Sequence, residues 1–185
     1  MTHLGIPVPP GFTITTEVSQ HYLKKDSYPN NLESQVLSSL NQVENIMGQT
    51  FGDSNNPLLV SVRSGARQSM PGMMETVLNI GLTSQTIPGL IQKSGDERFV
   101  YDAYRRLITM YADVVMEKAA DIGPGEGEGI REKLEALLEN LKLKKKVKND
   151  ADLDAEDLKC LCEKFKETIK THLGQEFPDD PPLVL

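Results

Sequence analysis

The spacing of apolar residues predicts a run of helices in the second half of the chain. Apolar positions recur there every three or four residues over three separate stretches, as one face of an amphipathic helix requires. The first, which Asp96 can cap, carries Phe99, Val100, Ala103, Leu107, Met110 and Val114, and the second carries Ile130, Leu134, Leu137, Leu138 and Leu141. The third opens at Asp154 and Asp157, turns Leu158, Leu161, Cys162, Phe165 and Ile169 inward, and ends at Gly174.

Shorter patterns in the first half predict strands mixed with helices. Residues 12–15 indicate a short strand, and Thr16 can cap a helix that begins at Glu17. A second helix is predicted from apolar residues on one face, Leu32, Val36, Leu37, Leu40, Val43 and Met47, with Gly48 as its stop.

Two further strands flank the most unusual segment of the sequence. The turn-forming residues 53–57 lead into the apolar run 58–62, our candidate for a central strand. Residues 75–80 are rich in Thr, Val, Leu and Ile and predict another strand. Binding residues concentrate in loops held by regular elements, so we expect the chemistry between these two strands.

The distribution of charge predicts a domain boundary near residue 83. Residues 1–83 hold four of the 20 basic and six of the 27 acidic side chains, so most charge lies in residues 84–185. The net charge of -7 argues against a nucleic-acid-binding protein. No apolar run is long enough to span a bilayer, and the N-terminus does not read as a signal peptide. We therefore expect a soluble protein, located in the cytoplasm or, as the alternative, in an organelle.

Neither the cysteines nor the histidines predict a metal site. Cys160 and Cys162 fall about 200° apart around a helix, which suits neither a disulfide nor a shared metal. His3, His21 and His172 lack ligand spacing.

The glycine-rich residues 123–129 carry two acids and no following lysine, which favours a flexible connector over a phosphate loop. Residues 142–148 form a basic cluster that we interpret as the solvated end of a helix, without a site.

Residues 62–76 predict a phosphate clamp. They contain two arginines, three hydroxyl side chains and two glycines in the part of the chain poorest in basic groups. The planar fork of Arg63 suits phosphate oxygens, and Gly65 and Gly72 would let backbone amides approach an anion. An equally weighted alternative is a structural pair between Arg67 and Glu75. The methionines of this segment can fill a core or line an adenine pocket.

Residues 59–82, LVSVRSGARQSMPGMMETVLNIGL, resemble the nucleotide-binding signature of the pyruvate phosphate dikinase family. The opening GIPVPPGF of residues 5–12 is similar to the N-terminal region of that family, and RFVYDAYRR of residues 98–106 resembles the start of its helical insertion. The SMPGMM string of residues 69–74 favours dikinases over the related phosphoenolpyruvate synthases.

The resemblance implies an α+β fold in two parts. Residues 1–83 would form a partial ATP-grasp-like nucleotide-binding lobe, and residues 84–185 an inserted all-helical subdomain. The implied family reaction converts ATP, pyruvate and phosphate into AMP, phosphoenolpyruvate and diphosphate. It proceeds through a phosphorylated histidine on a separate domain.

The resemblance also implies roles for individual residues. Arg63 matches the family arginine that neutralises ATP phosphates and is the predicted catalytic residue. Gly72 and Thr76 match backbone and hydroxyl contacts to the nucleotide, and Ser64 and Met73 complete the predicted ATP-binding set. Mg²⁺ is the implied metal, with its ligands outside this chain.

Several parts of the family pattern are missing from the sequence. A lysine-bearing glycine-rich segment should precede Gly5, and the second lobe, the phosphohistidine domain and the pyruvate-binding domain should follow. We therefore predict a fragment of a homodimeric parent enzyme, with weak ATP affinity and no turnover alone. The alternatives are a non-catalytic helical interaction module with a vestigial phosphate loop, or part of a phosphoenolpyruvate synthase-like enzyme.

Overall fold

The computed structural model describes residues 4–65, 76–120 and 129–180, and the chain divides into two compact units, Met1–Phe51 and Gly52–Leu185. Helices and short strands occur together, which confirms the predicted α+β class. The division after Phe51 is distinct from the predicted lobe boundary at residue 83, which stays a prediction.

The first unit contains two helices and one short strand. These are α1 (Thr16–Lys25), α2 (Leu32–Met47) and β1 (Thr50–Phe51). Helix α1 starts one residue earlier than predicted, and α2 ends at Gly48 as predicted, because Gly48 adopts the left-handed conformation of a helix stop with φ 63°. Leu40 and Val43 are buried on α2, whereas Leu37 and Met47 are 54% and 45% exposed, so the prediction of a single apolar face was wrong at these two residues.

The predicted strand at residues 12–15 is wrong. The backbone there is irregular, and both Phe12 and Ile14 are exposed, at 42% and 54%. Strand preference depends on packing the side chains against neighbours, so a run of strand-forming residues without burial does not specify a strand.

The second unit begins with a tight turn and three strands, β2 (Pro57–Leu58), β3 (Val60–Arg63) and β4 (Thr76–Ile80). Asp53 Oδ1 accepts hydrogen bonds from the amides of Asn55 at 2.6 Å and Asn56 at 2.9 Å, so the predicted turn is confirmed. These two hydrogen bonds also lower the pKa of Asp53. The predicted strand at 58–62 is interrupted at Leu59, and its continuation β3 pairs with β4 alone among the described residues. Among the residues that the structure describes, β3 is thus one of two paired strands rather than a central strand, because an apolar run identifies a strand but not its neighbours.

An irregularity in β4 determines which of its side chains face the core. In the antiparallel pairing, Val60 lies opposite Ile80 and Val62 opposite Val77, so β4 has one extra residue in this interval. Asn79 accommodates the extra residue with a φ of 61°, a conformation that asparagine tolerates better than most residues. The bulge explains why Val77 and Ile80 are both buried, although three-residue spacing would place them on opposite faces of a regular strand.

The helical part of the second unit follows β4. Its elements are α3 (Ile87–Ser94), α4 (Glu97–Tyr111), a π-helical turn (Ala112–Met116), α5 (Glu117–Ala119), α6 (Ile130–Lys145), a 3₁₀ turn (Asp150–Asp152) and α7 (Ala155–Leu173). The three predicted helices are confirmed, although Phe99, predicted on the apolar face of the first, is 60% exposed. Asp96 accepts a hydrogen bond from the Phe99 amide at 2.9 Å, and Asp154 accepts one from the Asp157 amide at 2.8 Å, so both predicted caps form.

The core of this unit lies where α4 packs against α7 and β4. The largest fully buried side chains there are Tyr104, Leu107, Ile108, Leu158, Leu161, Phe165 and Ile169. Every residue predicted to face inward on α7 is buried, and Cys162 lies among them while Cys160 is exposed. The two thiols therefore face different environments, as their spacing predicted.

The basic cluster at the C-terminal end of α6, residues 142–148, is partly structural rather than only solvated. Lys142 Nζ lies 3.1 Å from Asp150 Oδ1, and Lys145 Nζ lies 2.6 Å from Asp157 Oδ1, so the end of α6 is tied to the segment that follows it. The predicted connector at 123–129 lies outside the described residues except for Gly129. Within the described ranges, no helix is both long and apolar enough to cross a membrane.

Candidate functional site

The β3–β4 hairpin brings two of the predicted ATP-binding residues together. Arg63 is the last residue of β3 and Thr76 the first of β4, and they lie directly opposite each other in the antiparallel register. Cβ atoms of directly opposed residues are about 5 Å apart on one face of the sheet. Arg63 and Thr76 therefore flank the two ends of the segment predicted to bind phosphate.

Of the other three residues predicted to bind ATP, the structure describes only Ser64. Ser64 follows Arg63 directly and is exposed. Gly72 and Met73 lie outside the described residues. Arg67 and Glu75 do as well, so the alternative of a structural pair between them stays open.

The burial of β4 leaves the Arg63 side of the hairpin turned away from the core. Val77 is only 4% exposed and packs inward, and side chains alternate along a strand, so Thr76 and Arg63 share the opposite face. Arg63 is exposed, and no carboxylate within the described residues forms an ion pair with it. Its guanidinium is therefore accessible to an external anion.

The turn after β4 is held by a buried hydroxyl network. Thr86 Oγ1 donates to the Gly81 carbonyl at 2.9 Å and accepts from the Thr83 amide at 2.9 Å, and both threonines are fully buried. Gly81 has a φ of 100°, which favours glycine. Sequence analysis missed this turn and α3, although a hydroxyl residue followed closely by proline, Thr86 and Pro88, is a recognisable helix start.

Asp179 connects this turn to helices α4 and α7. Its Oδ1 accepts hydrogen bonds from the Ser84 amide at 2.9 Å and the Tyr104 hydroxyl at 2.6 Å, while Oδ2 lies 3.0 Å from Lys166 Nζ. Burial by itself would raise the pKa of Asp179, but the three donors outweigh it and lower the pKa. Sequence analysis could not find this cluster, because its members are widely separated in the chain.

A second charged cluster has a structural role. Buried Arg105 donates to Asp102 Oδ1 at 2.7 Å and to Asp150 Oδ2 at 3.2 Å. Arg98 donates to the main-chain carbonyls of Asp150 and Leu153, both at 2.8 Å. These contacts fix the 3₁₀ turn to α4. The guanidinium of Arg105 is occupied by the two carboxylates and is therefore not available to bind a ligand.

A cavity of about 600 Å³ lies between β4, α4 and α6. Leu78 and Asn79 line one side, and Arg106 and Arg131 contribute cations. Arg131 pairs with Asp113 at 2.6 Å and Arg106 with Asp102 at 2.9 Å, so these cations are already compensated. Across the described ranges, no group of three or more His, Cys, Asp or Glu side chains is placed to hold a metal ion.

Comparison with known proteins gives a consistent result. The chain is 44% identical over 183 residues to pyruvate, phosphate dikinase of Clostridium symbiosum, covering 98% of this chain and 20% of that enzyme. It is 45% identical to the enzyme of Rhizobium meliloti, over 100% of this chain and 20% of the relative. It is 47% identical to pyruvate, phosphate dikinase 1, chloroplastic, of Arabidopsis thaliana, over 98% of this chain and 18% of that relative. No family model matches the chain.

These similarities extend along nearly the whole chain rather than only the signature at residues 59–82. The resemblance identified from the sequence is thereby confirmed. The chain spans about a fifth of the length of the curated relatives that it matches.

Proposed function

We propose that this chain, which corresponds to one segment of pyruvate, phosphate dikinase, supplies part of the site at which that enzyme binds ATP. In this proposal the β3–β4 hairpin belongs to an ATP-grasp-like lobe and the following helices to its inserted subdomain. The parent enzyme would convert ATP, pyruvate and phosphate into AMP, phosphoenolpyruvate and diphosphate.

The observation that carries the proposal is the exposed Arg63 placed opposite Thr76. A guanidinium on a strand end, turned away from the core and without a carboxylate partner among the described residues, can form two parallel hydrogen bonds to phosphate oxygens. Thr76 contributes a hydroxyl beside it. The exposed guanidinium beside a hydroxyl supports the proposal of a phosphate clamp.

The proposed role of Arg63 is electrostatic. Negative charge is spread over the oxygens of a phosphoryl group during its transfer, and a fixed cation at those oxygens stabilises the transition state. The Ser64 hydroxyl, the Gly72 amide and the Met73 side chain are proposed to complete the contacts to the nucleotide.

Magnesium would neutralise phosphate charge when bound to the nucleotide. Arg63 and Thr76 are a cation and a neutral hydroxyl, which suit phosphate oxygens rather than a divalent cation. We therefore propose that the Mg²⁺ ligands lie outside this chain. The phosphohistidine and pyruvate-binding domains are the proposed partners, and a homodimeric parent and a cytoplasmic location remain predictions.

Arg63→Ala in a complete enzyme tests the proposal. The matching segment of the Clostridium symbiosum dikinase can be replaced by this chain, and the two half-reactions assayed separately. We expect Arg63→Ala to slow ATP-dependent phosphorylation of the histidine by roughly 10³-fold, the scale on which a positioned arginine acts in phosphoryl transfer. Exchange between pyruvate and phosphoenolpyruvate should be unchanged.

Two controls make the result specific. Arg63→Lys retains the charge but not the fork and should give an intermediate rate. Arg131→Ala removes a different exposed arginine, one already paired with Asp113, and should leave both half-reactions unchanged. Equal loss of both half-reactions in Arg63→Ala would contradict the proposed role. The chain alone should show no ATP-dependent phosphorylation.

A further inference from the structure

The hairpin that carries Arg63 and Thr76 needs support from elsewhere in the fold. Within the described residues it has only two strands, and β4 is five residues long. An isolated two-stranded hairpin is marginally stable in water, so its position depends on what it packs against. Val77 and Ile80 give it an apolar attachment, but apolar contacts do not fix direction as hydrogen bonds do.

Asp179 provides a directional attachment at the end of β4. The Ser84 amide donates to its Oδ1 at 2.9 Å, and Ser84 directly follows the buried threonine of the hydroxyl network that closes the turn after the strand. Any displacement of Ser84 must therefore move the turn, and with it the strand that begins at Thr76. The carboxylate acts on the hairpin through this amide.

Asp179 is itself held in place from two sides. The Tyr104 hydroxyl on α4 donates to Oδ1 at 2.6 Å, and Lys166 on α7 lies 3.0 Å from Oδ2 while its Nζ sits 5.1 Å from the centre of the Tyr104 ring. Two residues before Asp179, buried Phe177 packs edge-on against Tyr104 and Tyr111, with ring centres 6.4 and 5.7 Å away. The segment after α7 is thus anchored before it reaches Ser84.

We propose that Asp179 is a positioning residue for the nucleotide site, which fixes the turn after β4 through the Ser84 amide and so holds Thr76 and Arg63 in place. The catalytic consequence of this attachment rests on the proposed function, in which Arg63 and Thr76 bind ATP. The attachment itself involves neither nucleotide nor metal, so it can be measured independently of ATP.

Amide hydrogen–deuterium exchange on the 185-residue chain tests the attachment. In Asp179→Ala, the Ser84 amide loses a charged acceptor, and we expect exchange at Ser84 and along β4 to become roughly tenfold faster. Exchange in the middle of α7 should stay unchanged. The matched control is Asp180→Ala, which removes the exposed neighbouring carboxylate and should leave β4 unaffected.

Two further variants separate positioning from general stability. Asp179→Asn retains a side-chain oxygen that can accept from Ser84, so it should restore most of the protection lost in Asp179→Ala. Tyr104→Phe removes one donor but keeps the packed ring, and should speed exchange at Ser84 by a smaller factor. Unchanged exchange in Asp179→Ala would overturn the proposal, as would faster exchange spread evenly over α4, α7 and β4.

The catalytic consequence is measured in the hybrid enzyme described above. Asp179→Ala should raise the KM for ATP severalfold and leave the KM for pyruvate unchanged, because the substitution affects only the position of β4, which carries Thr76. If exchange changes as expected but the KM for ATP does not, the positioning role is wrong. The role of Arg63 is decided separately by Arg63→Ala, so failure of one proposal is distinguishable from failure of the other.

Discussion

The hydroxyl of Tyr104 donates a 2.6 Å hydrogen bond to Oδ1 of Asp179, and this bond joins the middle of α4 to the segment after α7. Burial raises the pKa of the Tyr104 phenol, so the phenol stays protonated and remains a donor. Asp179 must be ionised to accept from Tyr104, Ser84 and Lys166 together. The stability of this cluster is therefore linked to the protonation of one carboxylate.

We predict that the cluster loses its contribution to stability in acid. The folded pKa of Asp179 lies below its ordinary value of 3.8, so its stabilisation is complete above that pH and is lost as the pH falls through the folded pKa. At pH 7, Asp179→Asn should unfold with a free energy lower by roughly 1 kcal/mol, less than a fully buried charge-assisted hydrogen bond contributes, because water screens the partly exposed Asp179. Urea unfolding of both proteins from pH 7 to pH 3 should show the gap closing below about pH 4. A gap that does not depend on pH would contradict the assignment.

A second prediction concerns Gly89 on α3. In an exposed helix, Gly→Ala stabilises by about 1 kcal/mol. Here a Cβ would lie 2.8 Å from the Asn55 carbonyl oxygen and closer still to that of Ser54, so the turn at residues 53–56 would have to move. We expect Gly89→Ala to lower the free energy of unfolding by about 1–3 kcal/mol, measured by urea titration.

Gly11→Ala is the matched control for Gly89→Ala. No atom lies within 4 Å of a Cβ built at Gly11, so the substitution should change stability by less than about 0.5 kcal/mol. Equal effects at the two glycines would mean that the close approach of α3 to the turn is not the cause.

The two thiols on α7 should differ in reactivity. Burial raises the pKa of Cys162 to about 12, and its side chain is 1% exposed, whereas Cys160 is exposed. Because the thiolate is the reactive form, one equivalent of a disulfide reagent should react quickly at pH 8 and the second only after unfolding. Cys160→Ser should abolish the fast phase. A fast phase that survives in Cys160→Ser would contradict the burial of Cys162.

Adjacent arginines on α4 should contribute unequally to stability. Arg105 is buried between Asp102 and Asp150, while the Arg106 side chain is 61% exposed and pairs with Asp102 at 2.9 Å. Arg105→Met removes the buried cation from both carboxylates, which keep only Arg106 and Lys142 as partners, so it should cost about 3 kcal/mol. Arg106→Met, the matched control, should cost less than about 1 kcal/mol in the same thermal or urea measurement, because its pair is screened by water.

The sequence by itself determined the elements whose signals are local. Asp96, Asp154 and Gly174 bound two long helices where predicted, because a cap acts within one turn of the residue that supplies it. The spacing of apolar residues likewise predicted which side chains of α7 are buried. The signature around Arg63 identified the family because the residues that carry it are contiguous in the chain.

Only the tertiary structure decided the relationships between distant segments. The run at residues 12–15 is strand-forming in composition but unburied, and the bulge at Asn79 sets which face of β4 is buried. The pairing of Asp179 with Ser84 spans 95 residues. Periodicity and capping report on a few neighbouring residues, whereas packing selects which distant groups meet, and no local pattern encodes that choice.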